Sequence, residues 1–178
     1  SKFGAWVNTV VDELSSVGYL VALGWHCHLV LGAPGLDGWL VATIVGATAI
    51  LWSMYCIYYN IIVAVGSANS QDYVGAFEVA PGKTAQSVKL VPAAPKAIVT
   101  KTSSPIVKWL ATYLPYVIRR DFISWGTVAL AAFSLGTVAF VGLCAGGIVT
   151  AAITTIDHIK LRALRRSIAR RGLVLESP

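Results

Sequence analysis

Residues Phe122 to Ile156 read FISWGTVALAAFSLGTVAFVGLCAGGIVTAAITTI, thirty-five positions without one Asp, Glu, Lys or Arg. As a single α-helix this run would rise about 52 Å, well past the roughly 30 Å hydrocarbon core of a bilayer. It either crosses once and overshoots, or folds back into two crossings. A second crossing needs a polar turn near the middle, and Ser134-Leu135-Gly136-Thr137 is the one weak candidate. A single span from about Trp125 to Gly146, continuing through Thr150, Thr154 and Thr155, is the simpler reading.

Two more uncharged runs lie upstream, 23 residues from Leu14 to Leu36 and 34 from Gly38 to Gln71. Each is long enough to cross, since about 20 helical residues suffice. Charged residues make up only 12% of the 178-residue chain and hydrophobic ones 56%. A soluble domain carries about 25% charge. A small soluble domain leaves too much surface exposed to hide this much apolar area, and disorder is excluded by the same composition. The expectation is therefore all-α: a polytopic membrane protein with three membrane-spanning helices, or four if the third run folds back.

The flanks divide the rest. Within residues 1–13, Phe3, Trp6, Val7, Val10 and Val11 share a helical face, which predicts an interfacial amphipathic helix. The opening residues lack the basic and then apolar regions of a cleavable signal peptide, because Asp12 and Glu13 stand where the apolar region would begin. Residues 14–66 form a helical hairpin whose turn is Ala33-Pro34-Gly35-Leu36-Asp37-Gly38. Trp39 and the Tyr55, Tyr58, Tyr59 group stand about 30 Å apart along its second helix, as two aromatic belts would.

Residues 67–104 carry Pro81, Pro92 and Pro95 among spaced lysines and read as an extended polar and basic loop. Short pieces of it, such as Ser87–Val91 or Ala97–Thr100, could add strands to a neighbouring protein. Residues 105–120 predict a second interfacial helix, 121–156 the third span, and 157–178 a basic amphipathic tail. Seven Lys and Arg lie in 83–120 and six in 160–171. The positive-inside rule wants both blocks on one side, yet three spans put them on opposite sides and four on the same side.

Small residues four apart let helices in lipid approach closely. Gly142 and Gly146 form a GxxxG pair. Looser versions involve Gly18 and Ala22, Ala42 and Gly46, Gly126, and Ala132 and Gly136. Lys160, Arg162, Arg165, Arg166, Arg170 and Arg171 are suited to anionic lipid headgroups. With a net charge of +6, nucleic acid would be the partner to consider in a soluble protein, but here basic flanks of spans explain the charge and no nucleic acid is expected.

Trp25-His26-Cys27-His28 could ligate haem or chlorophyll through His26 or His28. The two histidines point to different helix faces, so they cannot chelate one metal together. The commoner role of such a residue is a neutral imidazole hydrogen-bonded to another helix. Cys27, Cys56 and Cys144 all sit in apolar runs, which speaks against a disulfide framework. Gly82-Lys83-Thr84 resembles the end of a phosphate loop, but Phe77 occupies the position of its first glycine. Ion pathways use charged groups inside the membrane, and the spans carry none.

These features point to docking rather than chemistry. The reading is a non-catalytic accessory subunit of a respiratory, photosynthetic or ATP synthase type complex. It would partner other membrane subunits and anionic lipids, with bound structural lipids and neither a catalytic residue nor a metal. Its setting would be an organellar inner membrane or a bacterial cytoplasmic membrane. The alternatives are a viral or phage envelope or membrane-permeabilising protein, and a haem- or pigment-binding anchor.

Overall fold

The computed structural model describes residues 2–32, 34–35, 37–67, 72–84, 86–93 and 120–176. Among the described residues, three helices are long and apolar enough to cross a membrane, over Leu14–Leu31, Gly38–Val65 and Gly136–Arg170. Helix α1 (Lys2–Leu31) is uninterrupted, so the amphipathic start and the first span share one helix. Helix α2 (Gly38–Asn60) begins where Asp37, in extended conformation, accepts from the backbone N–H groups of Trp39 and Leu40, each at 3.0 Å. These are two of the donors that a helix start leaves without partners. The helix runs on through a π turn (Ile61–Val65). Gly66 stops it in the left-handed region at φ +71°, with its N–H donating to the Ile61 carbonyl at 2.8 Å.

The long uncharged run is broken. Helix α3 (Arg120–Ala132) ends at Phe133-Ser134-Leu135, and helix α4 (Gly136–Arg170) follows. This corrects the single span from Trp125 to Gly146. The described part of α3 is 13 residues, about 20 Å, and begins at the first described residue after Ala93. The break falls at the weak polar turn. Ser134 is the one non-glycine residue of positive φ among the described residues, at +61°. The turn satisfies the last carbonyls of α3, since Phe133, Ser134 and Leu135 donate to Ala129, Ala131 and Leu130 at 2.8–3.1 Å. The uncharged part of α4, Gly136 to Ile156, is 21 residues, which is about 31 Å and one core thickness. Beyond it the same helix carries the basic tail outward.

Helix α1 runs antiparallel to α2 and α4, which are parallel to each other. The pairings that define this are Gly24 with Thr43, Cys27 with Thr137, Gly46 with Cys144, and Trp52 with Thr155. Leu20, Cys27, Phe140 and Cys144 form the buried core, with Trp39 and Ala42 packed against it. A Cβ on Gly147 would lie 3.0 Å from Ile50 and 3.6 Å from the Gly46 carbonyl, so these two glycines set the α2–α4 spacing.

A small sheet corrects the all-α expectation. Strand β1 (Phe77–Pro81) pairs antiparallel with β2 (Ser87–Pro92), with Val79 opposite Leu90. Strand β3 (Val174–Leu175) joins β2 in parallel, placing Ser87 opposite Val174. The order is β1-β2-β3. Ser87–Val91 is thus a strand, as its sequence suggested, but its partners belong to the same chain. Three strands closed by the tail achieve what an isolated hairpin does not. Glu176 locks the closure by accepting from the Ser87 hydroxyl and the Lys83 N–H, both at 2.6 Å. The Ser87 hydrogen bond, chiefly, holds its carboxyl below the ordinary range. Ala97–Thr100 and residues 105–119 of the interfacial helix expected over 105–120 lie outside the described residues.

The sheet stands at the end of the bundle where α2 finishes. Asn60 donates to the Val74 carbonyl at 2.9 Å there, and Tyr73 donates to Asp157 at 2.8 Å. Helix α4 starts at the opposite end, beside His26 and Leu23 of α1. Ala93 and Gly136 therefore stand at opposite ends of the bundle. Lys83 and Lys89 share an end with Lys160–Arg171.

Candidate functional site

Trp52, Tyr55 and Tyr59 are spaced i, i+3, i+7 and share one face of α2. Thr155, His158, Arg162 and Arg165 share the facing side of α4. Where the helices meet, Trp52 Nε1 donates to Thr155 Oγ1 at 2.7 Å. The His158 ring lies 4.6 Å from Tyr59, edge-on, and 5.7 Å from Tyr55. The guanidinium of Arg162 sits 5.2 Å over the Tyr59 ring. Arg165 Nη1 donates to the Tyr59 hydroxyl at 2.8 Å. One tyrosine thus positions two arginines, by its quadrupole and by its hydroxyl.

Among the described residues, His158 Nδ1 and Asn60 Oδ1 at this end have no hydrogen-bond partner, although their residues are only 6% and 1% exposed. Tyr73 and Asp157 close the far side. Burial, reinforced by the Asp157 carboxylate, pushes the Tyr73 hydroxyl well above its ordinary pKa. A recess of about 500 Å³ opens next to Tyr59, lined by Arg162, Arg165, Arg166, Ile168 and Leu173 among others. A second, of about 380 Å³, is lined by Arg166, Arg170 and Arg171. Lys160 lies 3.9 Å from Asp157 instead. Of the six basic residues expected at the headgroups, the structure sets two on Tyr59 and a third, Arg166, on the recess beside it.

The histidines of the first span part company. His26 is exposed and lies near Gly136. His28 Nδ1 lies 2.8 Å from Asp37 Oδ2, and its ring is 5.4 Å from Trp25. Asp37 therefore caps α2 with one oxygen and holds α1 with the other, which fastens the hairpin. The His28 hydrogen bond, chiefly, lowers the Asp37 pKa, and the Leu40 and Trp39 N–H groups add to it against burial. A carboxyl with a depressed folded pKa adds stability that is present above its ordinary value, 3.8, and is lost as pH falls through the folded value. Acid titration of the purified protein below about pH 4 should loosen the wild type, and Asp37→Asn should flatten that dependence. Identical acid profiles would contradict this. Among the described residues no group of three His, Cys, Asp or Glu is placed to hold a metal ion.

The expected packing residues also divide. Ala42, Gly46 and Gly136 face other helices of the chain. Gly18, Gly126, Gly142 and Gly146 have nothing within 4 Å of where a Cβ would stand, and Ala22 and Ala132 are exposed. Gly24, which motif spacing did not select, meets Thr43 of α2 and Phe140 of α4 more closely than Gly46 meets Leu20 and Cys144. His158 and Tyr59 were also missed as a pair. The signal for them was the matched i, i+3, i+7 spacing on two helices. Comparison with protein-family models, curated proteins and solved structures finds no match to this chain.

Proposed function

We propose that the chain is a non-catalytic structural subunit of a multi-subunit membrane complex of respiratory, photosynthetic or ATP synthase type. Its setting would be an organellar inner membrane or a bacterial cytoplasmic membrane, with its basic end against anionic lipid. The observation that carries this reading is the outer face of α4. Gly142, Ala145 and Gly146 lie exposed on a helix whose inner face already packs through Cys144 and Gly147. A helix facing only lipid gains nothing from a small-residue stripe, whereas one meeting another helix gains close backbone contact. Native electrophoresis in mild detergent should show the chain in an assembly far above 18.9 kDa. Migration as a free monomer alone would sink the proposal. Gly146→Leu should leave the isolated chain folded, because the position is open, while reducing its share in the assembly. Equal incorporation of mutant and wild type would contradict that.

His28 supports a second reading, as an axial ligand of haem or chlorophyll. A carboxylate on Nδ1 is the arrangement that orients a ligating imidazole and leaves Nε2 to bind. A Soret or chlorophyll band in the purified protein that disappears in His28→Ala would establish it. A featureless spectrum in oxidised and reduced samples would remove it.

A further inference from the structure

We infer that the recess between Tyr59 and the Arg162–Arg166 turn is a site for the phosphate of one anionic phospholipid, a localised site rather than part of a diffuse basic surface. This rests on the reading that the basic end faces lipid headgroups, and it says where and how.

Arg162, Arg165 and Arg166 are spaced i, i+3, i+4 and project from one face of α4. Among the described residues none of the three meets a carboxylate, and no acidic residue lines the recess. Three uncompensated positive charges thus converge on one space. Two are held in place, Arg162 over the Tyr59 ring and Arg165 by the Tyr59 hydroxyl. Preorganised guanidinium forks match phosphate oxygens bidentately and lose less freedom on binding than lysines would. Ile168 and Leu173 add an apolar wall, which strengthens a guanidinium–phosphate contact by lowering the local dielectric.

Depth selects a lipid. Tyr59 stands 20 residues beyond Trp39, about 30 Å along α2, at the edge of a bilayer core. On α4, Arg162 is six residues past Ile156, about 9 Å beyond the last uncharged residue. The polar layer of a bilayer is about 5–8 Å thick on each side, and an arginine side chain easily spans the difference. The arginines therefore reach the level at which lipid phosphates lie.

The test is native mass spectrometry of the purified full chain in mild detergent, titrated with phosphatidylglycerol or phosphatidylcholine. Wild type should retain one phosphatidylglycerol in preference to phosphatidylcholine. Arg162→Gln with Arg165→Gln should reduce that retention about tenfold or more. Lys83→Gln with Lys89→Gln removes the same charge at the same end but away from the recess, and should leave it unchanged. Tyr59→Phe keeps the ring and frees Arg165, so its loss should be intermediate. Equal loss from both double variants would replace the site with diffuse attraction, overturning this inference while leaving the basic-end reading intact. No preference of wild type for phosphatidylglycerol would overturn both. Displacement of the lipid by inorganic phosphate would make free phosphate the ligand and overturn the lipid assignment. If the glutamine pair fails to fold, Arg162→Lys with Arg165→Lys reads the same site. It keeps the charge and loses the fork, so wild-type retention there would overturn the inference. None of these outcomes depends on partner subunits, which native electrophoresis tests separately.

Discussion

Gly24→Leu should separate α1 from both other spans and leave the chain largely unfolded in detergent. A Cβ at position 24 would run into the Thr43 hydroxyl of α2 and lie 2.9 Å from Phe140 of α4. It meets two helices at once, so no rigid shift of α1 relieves both contacts. Two effects oppose each other. Removing a glycine from a helix interior favours the helix by about 1 kcal/mol. Overpacking a core costs about 1–3 kcal/mol, sometimes more. For Ala the clash wins narrowly, whereas for Leu it wins by several kcal/mol. Thr43→Ala should partly rescue Gly24→Ala, because it removes the hydroxyl while the Trp39 carbonyl it bonds keeps its place in the α2 ladder. Gly142→Ala is the control. Nothing lies within 4 Å, so only the propensity gain remains and its sign is opposite. Denaturant titration in mixed micelles measures all four variants. Wild-type stability in Gly24→Leu would refute the packing.

What composition could reveal was the set of helices, because the cost of charge in lipid is a property of each residue alone. The runs that include Leu14–Leu31, Gly38–Val65 and Gly136–Ile156 are visible as stretches without charge. The break at Ser134 was less legible. Apolar residues on both sides make a bent run and a straight one equally hydrophobic, and a single serine with a following glycine carries the whole difference. Strand β3 was invisible for another reason. Val174 pairs with Ser87 across 87 positions, and a two-residue strand has no periodicity to detect. The candidate site was half legible. The three arginines follow helical spacing, but nothing local says that Tyr59 faces them. Among the small residues, spacing marked Gly142 and Gly146, which face outward, and passed over Gly24, which packs against two other helices at once. Motif spacing shows which residues share a face, while the helix that covers the face is a matter of tertiary contact.

Phe140→Ala should cost about 2 kcal/mol, and the size of that number bears on the medium in which the bundle folds. Phe140 is 1% exposed, packs 5.8 Å from the Trp39 ring, and fills the junction where all three spans meet. In water a buried Phe→Ala change costs about 3–5 kcal/mol, part from lost transfer of apolar atoms out of solvent and part from the cavity left behind. In a bilayer the separated helices remain in hydrocarbon, so the transfer part largely vanishes. The cavity part stays, because the neighbours lose dispersion contacts whatever the solvent. Removing about 100 Å³ at about 24 cal/mol per Å³ gives about 2.4 kcal/mol before any collapse. Leu143 and Ile50, partly buried beside the core, can close some of that space. A measured loss near 2 kcal/mol fits three spans assembling within lipid. A loss above about 4 kcal/mol would mean that Phe140 meets water when the bundle opens, and α4 would then be a soluble helix rather than a membrane one.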